Sequence, residues 1–176
     1  RQKEAEIMWD VLSSNPTMQE TGAALFSTTH GNIASTGAAL SVSTLASARQ
    51  AMREQTDIDG KTPINVAPVF IVVGPAQETA AEQVIASIQA NTVGEVNPFS
   101  GALQVVVEPR IPDGRWYVFA DPTRMPTLVY SYLADEAGPN IDSRVNFDDR
   151  AVEWRVWLDF GASAVDFRGA YQNPGA

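Results

Sequence analysis

The chain has 176 residues, enough for one domain with a substantial core or for two small lobes that share one. With 44% hydrophobic and 19% charged residues, its composition is that of a globular protein and excludes disorder of the chain as a whole. The net charge is −9 and the twelve Lys and Arg residues are scattered singly, which argues against sequence-independent nucleic-acid binding. Without cysteine the chain has neither disulfides nor thiolate metal sites, and no apolar run approaches the ~18–20 residues that span a bilayer.

An amphipathic helix is predicted at the N-terminus. Apolar side chains recur at helical spacing between Ile7 and Leu12. Asn15 ends this pattern, because Pro16 disfavours helical geometry in the residue before it. The sequence begins inside the helical pattern and without an initiator methionine, so we expect the chain to be a fragment, or the ordered part of a longer protein.

A long loop separates this helix from a second one. Residues 17–42 are rich in Gly, Ser, Thr and Ala, and loops of this length usually have a function or lie against a partner. Ser43 and Thr44 predict the start of the second helix, since their hydroxyl oxygens can cap free backbone N–H groups. The helix is expected to end near the turn at residues 57–60.

A strand and a third helix follow. Residues 69–73 form a continuous apolar run, which predicts a strand that is buried on both faces. Gly74 and Pro75 come next, and proline is favoured in the first turn of a helix. The apolar stripe of the predicted helix consists of Ala81, Val84, Ile85 and Ile88. Residues 91–101 are predicted to form a loop.

The rest of the chain is mostly strand. Runs of β-favouring residues are separated by Pro, Gly and Asp and cover residues 103–108, 115–120, 127–133 and 141–147. Helices come early and strands late, which indicates the α+β class rather than a repeating β-α-β winding.

Residues 152–160 carry the clearest pattern. Apolar side chains occupy every second position and Glu153, Arg155 and Asp159 lie between them, which predicts one long strand with a buried face. Trp157 interrupts the charged face. Core packing and a subunit contact explain Trp157 equally well, since Trp, Tyr and Arg concentrate binding energy in interfaces. Trp157, Arg155 and Glu153 are therefore a candidate subunit interface.

No complete catalytic or metal-binding pattern occurs in the sequence. His30, the single histidine, could activate Ser27 or Ser35 as a general base, but a loop histidine bonded to backbone is the stronger interpretation. The Gly-x-Ser-x-Gly turn of serine hydrolases is missing. Residues 57–60 match only part of a calcium loop. We therefore expect no catalytic residue, no cofactor and no metal, and a protein that is not an enzyme.

Short phrases spread over nearly the whole chain carry a resemblance. They are residues 24–32, 41–45, 48–49, 51–53, 59–60, 75–79, 105–110, 120–122, 159–162, 166–171 and 173–176. In order and spacing these phrases resemble the major capsid (head) protein of tailed bacteriophages, in particular the Mu-type head-subunit relatives of prophages. No single phrase is a chemical motif.

The resemblance implies the Hong Kong 97-type (HK97-like) capsid fold. That fold has a peripheral lobe, with a long spine helix, a strand pair and an extended loop, and an axial lobe with a central sheet and flanking helices. On this sequence, residues 1–61 and 135–176 would belong to the peripheral lobe, the second range with a long C-terminal strand, and residues 62–134 to the axial lobe. The family's N-terminal arm and extended loop precede the spine helix, and we expect both to be absent from this chain.

The function implied is that of a structural subunit of an icosahedral phage head, which self-assembles in the host cytoplasm into the virion shell around packaged DNA. Its implied partners are copies of itself in hexamers and pentamers, with portal and scaffold or prohead protease during assembly. Sequence-specific nucleic-acid binding and membrane binding are not implied. One alternative is an encapsulin-like cellular nanocompartment shell. The alternative from another class is a small hydrolase or ligand-binding domain that uses the His30 loop.

Overall fold

The computed structural model describes residues 2–86, 102–112, 114–148 and 150–176. In chain order the elements are α1 (Gln2–Ser13), α2 (Val42–Arg53), β1 (Pro68–Val73), a 3-10 turn (Pro75–Gln77), α3 (Glu78–Ile85), β2 (Gln104–Val107), β3 (Trp116–Ala120), β4 (Leu128–Tyr132), β5 (Asn140–Val145), β6 (Val152–Trp157), β7 (Phe160–Ala164) and β8 (Ala170–Asn173). Helices dominate the first half and strands the second, which confirms the α+β class. Ile88 and the predicted loop at 91–101 lie outside the described residues.

The chain divides into two compact units. The smaller unit contains Arg1–Ser14 and Leu128–Ser163, and the larger contains Asn15–Thr127 and Ala164–Ala176. The assignment of residues 1–61, 62–134 and 135–176 to capsid lobes stays a prediction. No helix among the described residues is long and apolar enough to cross a membrane.

The larger unit is built on a four-stranded sheet in the order β2-β1-β3-β8. β1 runs parallel to β2, and β3 is antiparallel to both β1 and β8. Ile71 pairs with Val118 and Val73 with Trp116, so these four buried side chains share one face. They join one hydrophobic cluster with Leu45 and other residues of α2 and with Ala81 of α3.

The long loop contacts both the other face and one edge of this sheet. On the face, the rings of Phe26 and Tyr117 lie 5.5 Å apart. At the edge, Ile33 forms a bridge with Gln172 of the edge strand β8. Val72, which is opposite Tyr117, is half-buried, so β1 is fully buried on one face only. The predicted loop therefore packs against the chain's own sheet.

The start of α2 differs from the prediction by two residues. Ser41, not Ser43 or Thr44, is the N-cap: its Oγ accepts a hydrogen bond from the Thr44 N–H at 3.2 Å. In return Thr44 Oγ1 accepts from the Ser41 N–H at 2.9 Å, which completes a capping box. The helix begins at Val42 because the side chains of Ser41 and Thr44 together satisfy the backbone N–H groups of Ser41 and Thr44.

The smaller unit contains α1 and two two-stranded sheets, β4-β7 and β5-β6. The first sheet carries an aromatic cluster in which the rings of Tyr130, Tyr132 and Phe160 lie 5.4–5.9 Å apart. The Tyr132 hydroxyl donates a hydrogen bond to the Glu4 carboxylate at 2.8 Å, which ties α1 to this sheet.

The prediction of one long C-terminal strand is wrong. The predicted strand ends at Trp157 as β6, and the chain resumes at Phe160 as β7, which belongs to a different sheet. The alternation of apolar residues continues across Leu158 and Asp159. A change of partner strand therefore leaves no trace in the periodicity, because periodicity reports only the local extended geometry.

Candidate functional site

The β5-β6 hairpin has two chemically different faces. Its cross-strand pairs are Asn140–Trp157, Ile141–Val156, Asp142–Arg155, Ser143–Trp154, Arg144–Glu153 and Val145–Val152. Directly opposite residues share a face, and successive pairs alternate between faces. One face, which we call the charged face, therefore holds the Trp157, Arg155 and Glu153 pairs. The other, the apolar face, holds the Val156, Trp154 and Val152 pairs.

Cross-strand ion pairs hold the register of the charged face. The Arg144 guanidinium lies 2.6 Å from the Glu153 carboxylate, and that of Arg155 lies 3.0 Å from Asp142. All four side chains are exposed, so each pair contributes only ~0–1 kcal/mol. Their main effect is to favour this register over a one-residue slip, which would exchange the two faces.

Trp157 closes the charged face at the end of β6. Its Nε1–H donates to the Glu136 carboxylate at 3.3 Å, and the Arg155 guanidinium carbon lies 4.7 Å from its ring centroid. The ring is half-buried. The structure thus brings Trp157, Arg155 and Glu153 together on one face, each with a partner inside the hairpin region. That these three residues contact a neighbouring subunit stays a prediction.

The apolar face is uncovered, so the predicted burial of this side of the strand is wrong for β6. The exposed fractions on this face are 63% for Ile141, 69% for Val145, 54% for Val152, 69% for Trp154 and 63% for Val156. Phe147, in the turn between the two strands, is 97% exposed. Packing that would bury these side chains is not supplied by the described residues of this chain.

The size of the apolar face indicates an interaction site. At these exposures it presents apolar surface on the order of 500 Å², near the upper end of the ~300–600 Å² that the largest patch on a typical monomer reaches. Patches of this kind mark interaction sites. A lone two-stranded hairpin is also marginally stable in water, so this element gains from a partner packed on it.

His30 has a structural environment. It is buried, its Nε2 lies 2.7 Å from Thr21 Oγ1, its Nδ1 lies 3.2 Å from the Leu25 carbonyl oxygen, and its ring stacks on Phe167 at 3.7 Å. Ser27 Oγ accepts from the backbone N–H of His30, not from the ring. Both ring nitrogens are therefore engaged with groups other than the serine proposed as a nucleophile.

The buried Arg168, which no sequence pattern indicates, connects three segments of the larger unit. Arg168 Nη2 lies 2.6 Å from Glu20 Oε1, its Nη1 lies 3.3 Å from Asp166, and its Nε–H donates to the Thr56 carbonyl at 2.9 Å. The hydrogen bond from Arg168 is the main cause that lowers the pKa of Glu20. These contacts tie the long loop, the turn after α2 and the C-terminal segment together.

Asn32 extends this polar cluster. It is buried, its Nδ2 donates to the Leu25 carbonyl at 2.8 Å and to the Phe167 carbonyl at 3.2 Å, and its Oδ1 accepts from the Ser27 N–H at 3.0 Å. The only hint in the sequence is that the bulky polar residues His30 and Asn32 stand in a loop of small residues.

A small cavity in the larger unit is a weaker candidate for a functional site than the hairpin. The cavity, of about 160 Å³, is lined largely by apolar groups, with Asp121 and Arg124 as its charged residues. The Asp121 carboxylate already accepts two hydrogen bonds from Thr123, which lower its pKa. Within the described parts of the chain, no three His, Asp or Glu side chains come together in a way that could hold a metal ion.

The family comparison decides what kind of protein carries this hairpin. A family model described as "Phage capsid protein" matches residues 1–173. The chain belongs to the phage capsid protein family. The prediction of a structural capsid subunit is thereby confirmed, and neither the nanocompartment nor the His30 enzyme is favoured. No curated protein matches the chain.

Solved phage structures resemble this capsid protein only distantly. A chain from Mycobacterium phage Che8 is 15% identical with a TM-score of 0.46, over 84% of this chain and 55% of that one. A chain of the satellite phage P4 procapsid including the size determination (Sid) protein is 14% identical with a TM-score of 0.39, over 74% of this chain and 37% of that one. The chain thus spans about half or less of these structures, and the two-lobed fold stays a prediction.

Proposed function

We propose that this capsid protein is a shell-forming subunit of an icosahedral bacteriophage head that assembles with copies of itself around packaged DNA. The family match supports a structural rather than an enzymatic role. The observation that carries the proposal is the apolar face of the β5-β6 hairpin, which exposes Trp154 and four aliphatic side chains. An exposed apolar patch of this size is often an interaction site.

The size of the contact fits a shell. An apolar face on the order of 500 Å² is close to the apolar share of the ~800 Å² that each partner buries in a standard interface, since such interfaces are roughly 56–65% apolar. A closed shell does not require each single contact to be tight. Many such contacts in a closed shell reinforce one another, because each later contact forms within an already tethered assembly.

We also propose the details of fold and assembly that the resemblance implies. They are the Hong Kong 97-type lobes at 1–61, 62–134 and 135–176, the hexamers and pentamers, and the encounters with portal and scaffold or protease in the host cytoplasm. The charged-face residues Trp157, Arg155 and Glu153 are proposed as a second, polar part of the subunit contact. Exposed ion pairs of this kind favour orientation and partner choice more than affinity.

Electron microscopy of the complete gene product tests the proposal. We expect closed shells of uniform size, alone or with its scaffold, and nuclease-resistant DNA inside particles from phage-producing cells. A protein that stays monomeric at high concentration with its scaffold present would contradict the shell function. Particles that enclose an enzyme and no DNA would instead favour the nanocompartment.

A further inference from the structure

We propose that the apolar face of the β5-β6 hairpin is covered, in the assembled shell, by a second copy of this chain. This inference rests on the proposed function and specifies the partner of one surface. It concerns the face opposite to Trp157, Arg155 and Glu153.

The composition of the face favours an apolar partner. Its three cross-strand pairs contain Ile141, Val156, Trp154, Val145 and Val152, and Ser143 is the single polar member. Each of the five apolar side chains is more than half exposed. A surface with so few hydrogen-bonding groups makes no specific contact with a polar ligand, and it gains free energy only when apolar surface covers it.

The distribution of charge allows two copies of the chain to meet at the apolar face. The chain carries a net charge of −9, so two copies repel each other over much of their surfaces. The apolar face has no charged residue, while all four charges of the paired strands lie on the opposite face. Two copies can therefore meet at the apolar face without placing like charges in contact. A nucleic acid would find no Lys or Arg there to bind its phosphates.

The hairpin places its apolar side chains together on one face. The ion pairs Arg144–Glu153 and Arg155–Asp142 favour the register in which this face forms. Trp154 lies next to the centre of the face, opposite Ser143 and between the two aliphatic pairs. A large aromatic ring with aliphatic neighbours is the arrangement that dominates binding energy in protein interfaces.

The experiment uses two matched substitutions in the complete protein. Trp154→Glu places a charge on the apolar face, and Ile58→Glu places the same charge on another exposed apolar residue, which is 81% exposed in a turn of the larger unit. We expect Trp154→Glu to lower the fraction of protein in sedimenting shells at least tenfold and Ile58→Glu to leave it unchanged. Far-ultraviolet circular dichroism checks that both variants are folded.

Cross-linking identifies the partner directly. The chain has no cysteine, so Ser143→Cys introduces a unique thiol on the apolar face. Ser47→Cys places the control thiol on the exposed side of α2, outside the hairpin. Each variant is labelled with a benzophenone maleimide, assembled and irradiated. We expect the probe at position 143 to give a covalent dimer of this chain and the probe at position 47 to give much less. A dimer from position 47 alone, or cross-links from 143 to a different protein or to lipid, would overturn the inference.

The outcomes separate the two proposals. Shells that form equally well from Trp154→Glu and from the unsubstituted protein would overturn this inference and leave the shell function standing. Equal loss of shells in the Trp154 and Ile58 variants would overturn the assignment of the contact to this face. Failure of the unsubstituted protein to form shells would overturn the shell function and this inference with it.

Discussion

Replacement of Asn32 by aspartate changes one buried group while it keeps the shape of the side chain. The amide Nδ2 of Asn32 donates hydrogen bonds to the carbonyl oxygens of Leu25 and Phe167, and its Oδ1 accepts one from Ser27. In Asn32→Asp an oxygen takes the place of the donating nitrogen. Two carbonyl oxygens lose the hydrogen bond from Asn32, and both then face a carboxylate oxygen. The Leu25 carbonyl keeps its contact with His30 Nδ1, and the Phe167 carbonyl keeps the hydrogen bond from the Ala170 N–H.

The expected cost follows from these contacts. Each lost hydrogen bond costs about 0.5–1.5 kcal/mol, and the burial of a carboxylate that faces carbonyl oxygens adds to that cost. We expect the free energy of unfolding to fall by about 3–5 kcal/mol at pH 7, a large share of the ~5–15 kcal/mol that a domain possesses. A protonated carboxyl can donate to one of the carbonyls. The pKa of the new carboxyl should therefore be raised in the folded protein, and the loss of stability should shrink as the pH falls.

Urea unfolding, followed by tryptophan fluorescence, to which the buried Trp116 contributes, and by circular dichroism, measures this effect. The control is Asn65→Asp, since Asn65 is exposed and has a positive φ of 55° that aspartate also tolerates. Aspartate also keeps the side-chain oxygen that accepts from Arg53 Nη1, and an exposed pair of this kind contributes little to stability. We expect the control to change stability by less than ~0.5 kcal/mol. Similar small losses in both variants, or a loss in Asn32→Asp that grows towards acid pH, would refute the proposed role of the Asn32 amide.

Three further predictions concern the same fold. A Cβ at Gly169 would lie 2.6 Å from both the Met125 carbonyl oxygen and Thr127 Oγ1, so Gly169→Ala should cost about 1–3 kcal/mol in urea unfolding. Gly161→Ala, whose Cβ would meet only Ser131 Oγ at 3.8 Å, should be nearly neutral. Ser41→Ala removes the N-cap of α2 and should cost about 1 kcal/mol, whereas Ser47→Ala on the exposed side of that helix should cost nothing measurable, and thermal melts compare them. Arg168 lowers the pKa of Glu20 below its ordinary 4.5, so this pair adds stability above that pH and loses it as the pH falls. Denaturant titrations from pH 7 to 3 should therefore show a smaller acid loss in Arg168→Gln, and an unchanged slope would contradict the ion pair.

The elements of the larger unit were largely predictable because they follow local rules. The apolar run at 69–73 became β1, and apolar residues at helical spacing became α2 and α3. The error at the start of α2 has a local cause too. Ser41, Ser43 and Thr44 all carry hydroxyls that can cap a helix, and only the geometry selects Ser41.

The polar cluster around His30 was not predictable in the same way. Asn32 and Phe167 are separated by 135 positions, and their hydrogen bond exists only because the long loop packs beside β8. A single sequence gives no signal for a contact at that separation when both segments are irregular. In the sequence His30 is therefore an isolated loop residue, and no pattern indicates the contacts of Arg168.

The β5-β6 hairpin shows what the sequence determines by itself and what depends on the tertiary structure. The sequence by itself determined which side chains of residues 152–157 share a face, since alternation is a local consequence of extended backbone geometry. Only the tertiary structure decided that Val152, Trp154 and Val156 stay uncovered and that the strand changes partner after Trp157. Burial depends on which distant elements pack against a face, and the alternating pattern is the same whether that cover comes from the same chain or from another.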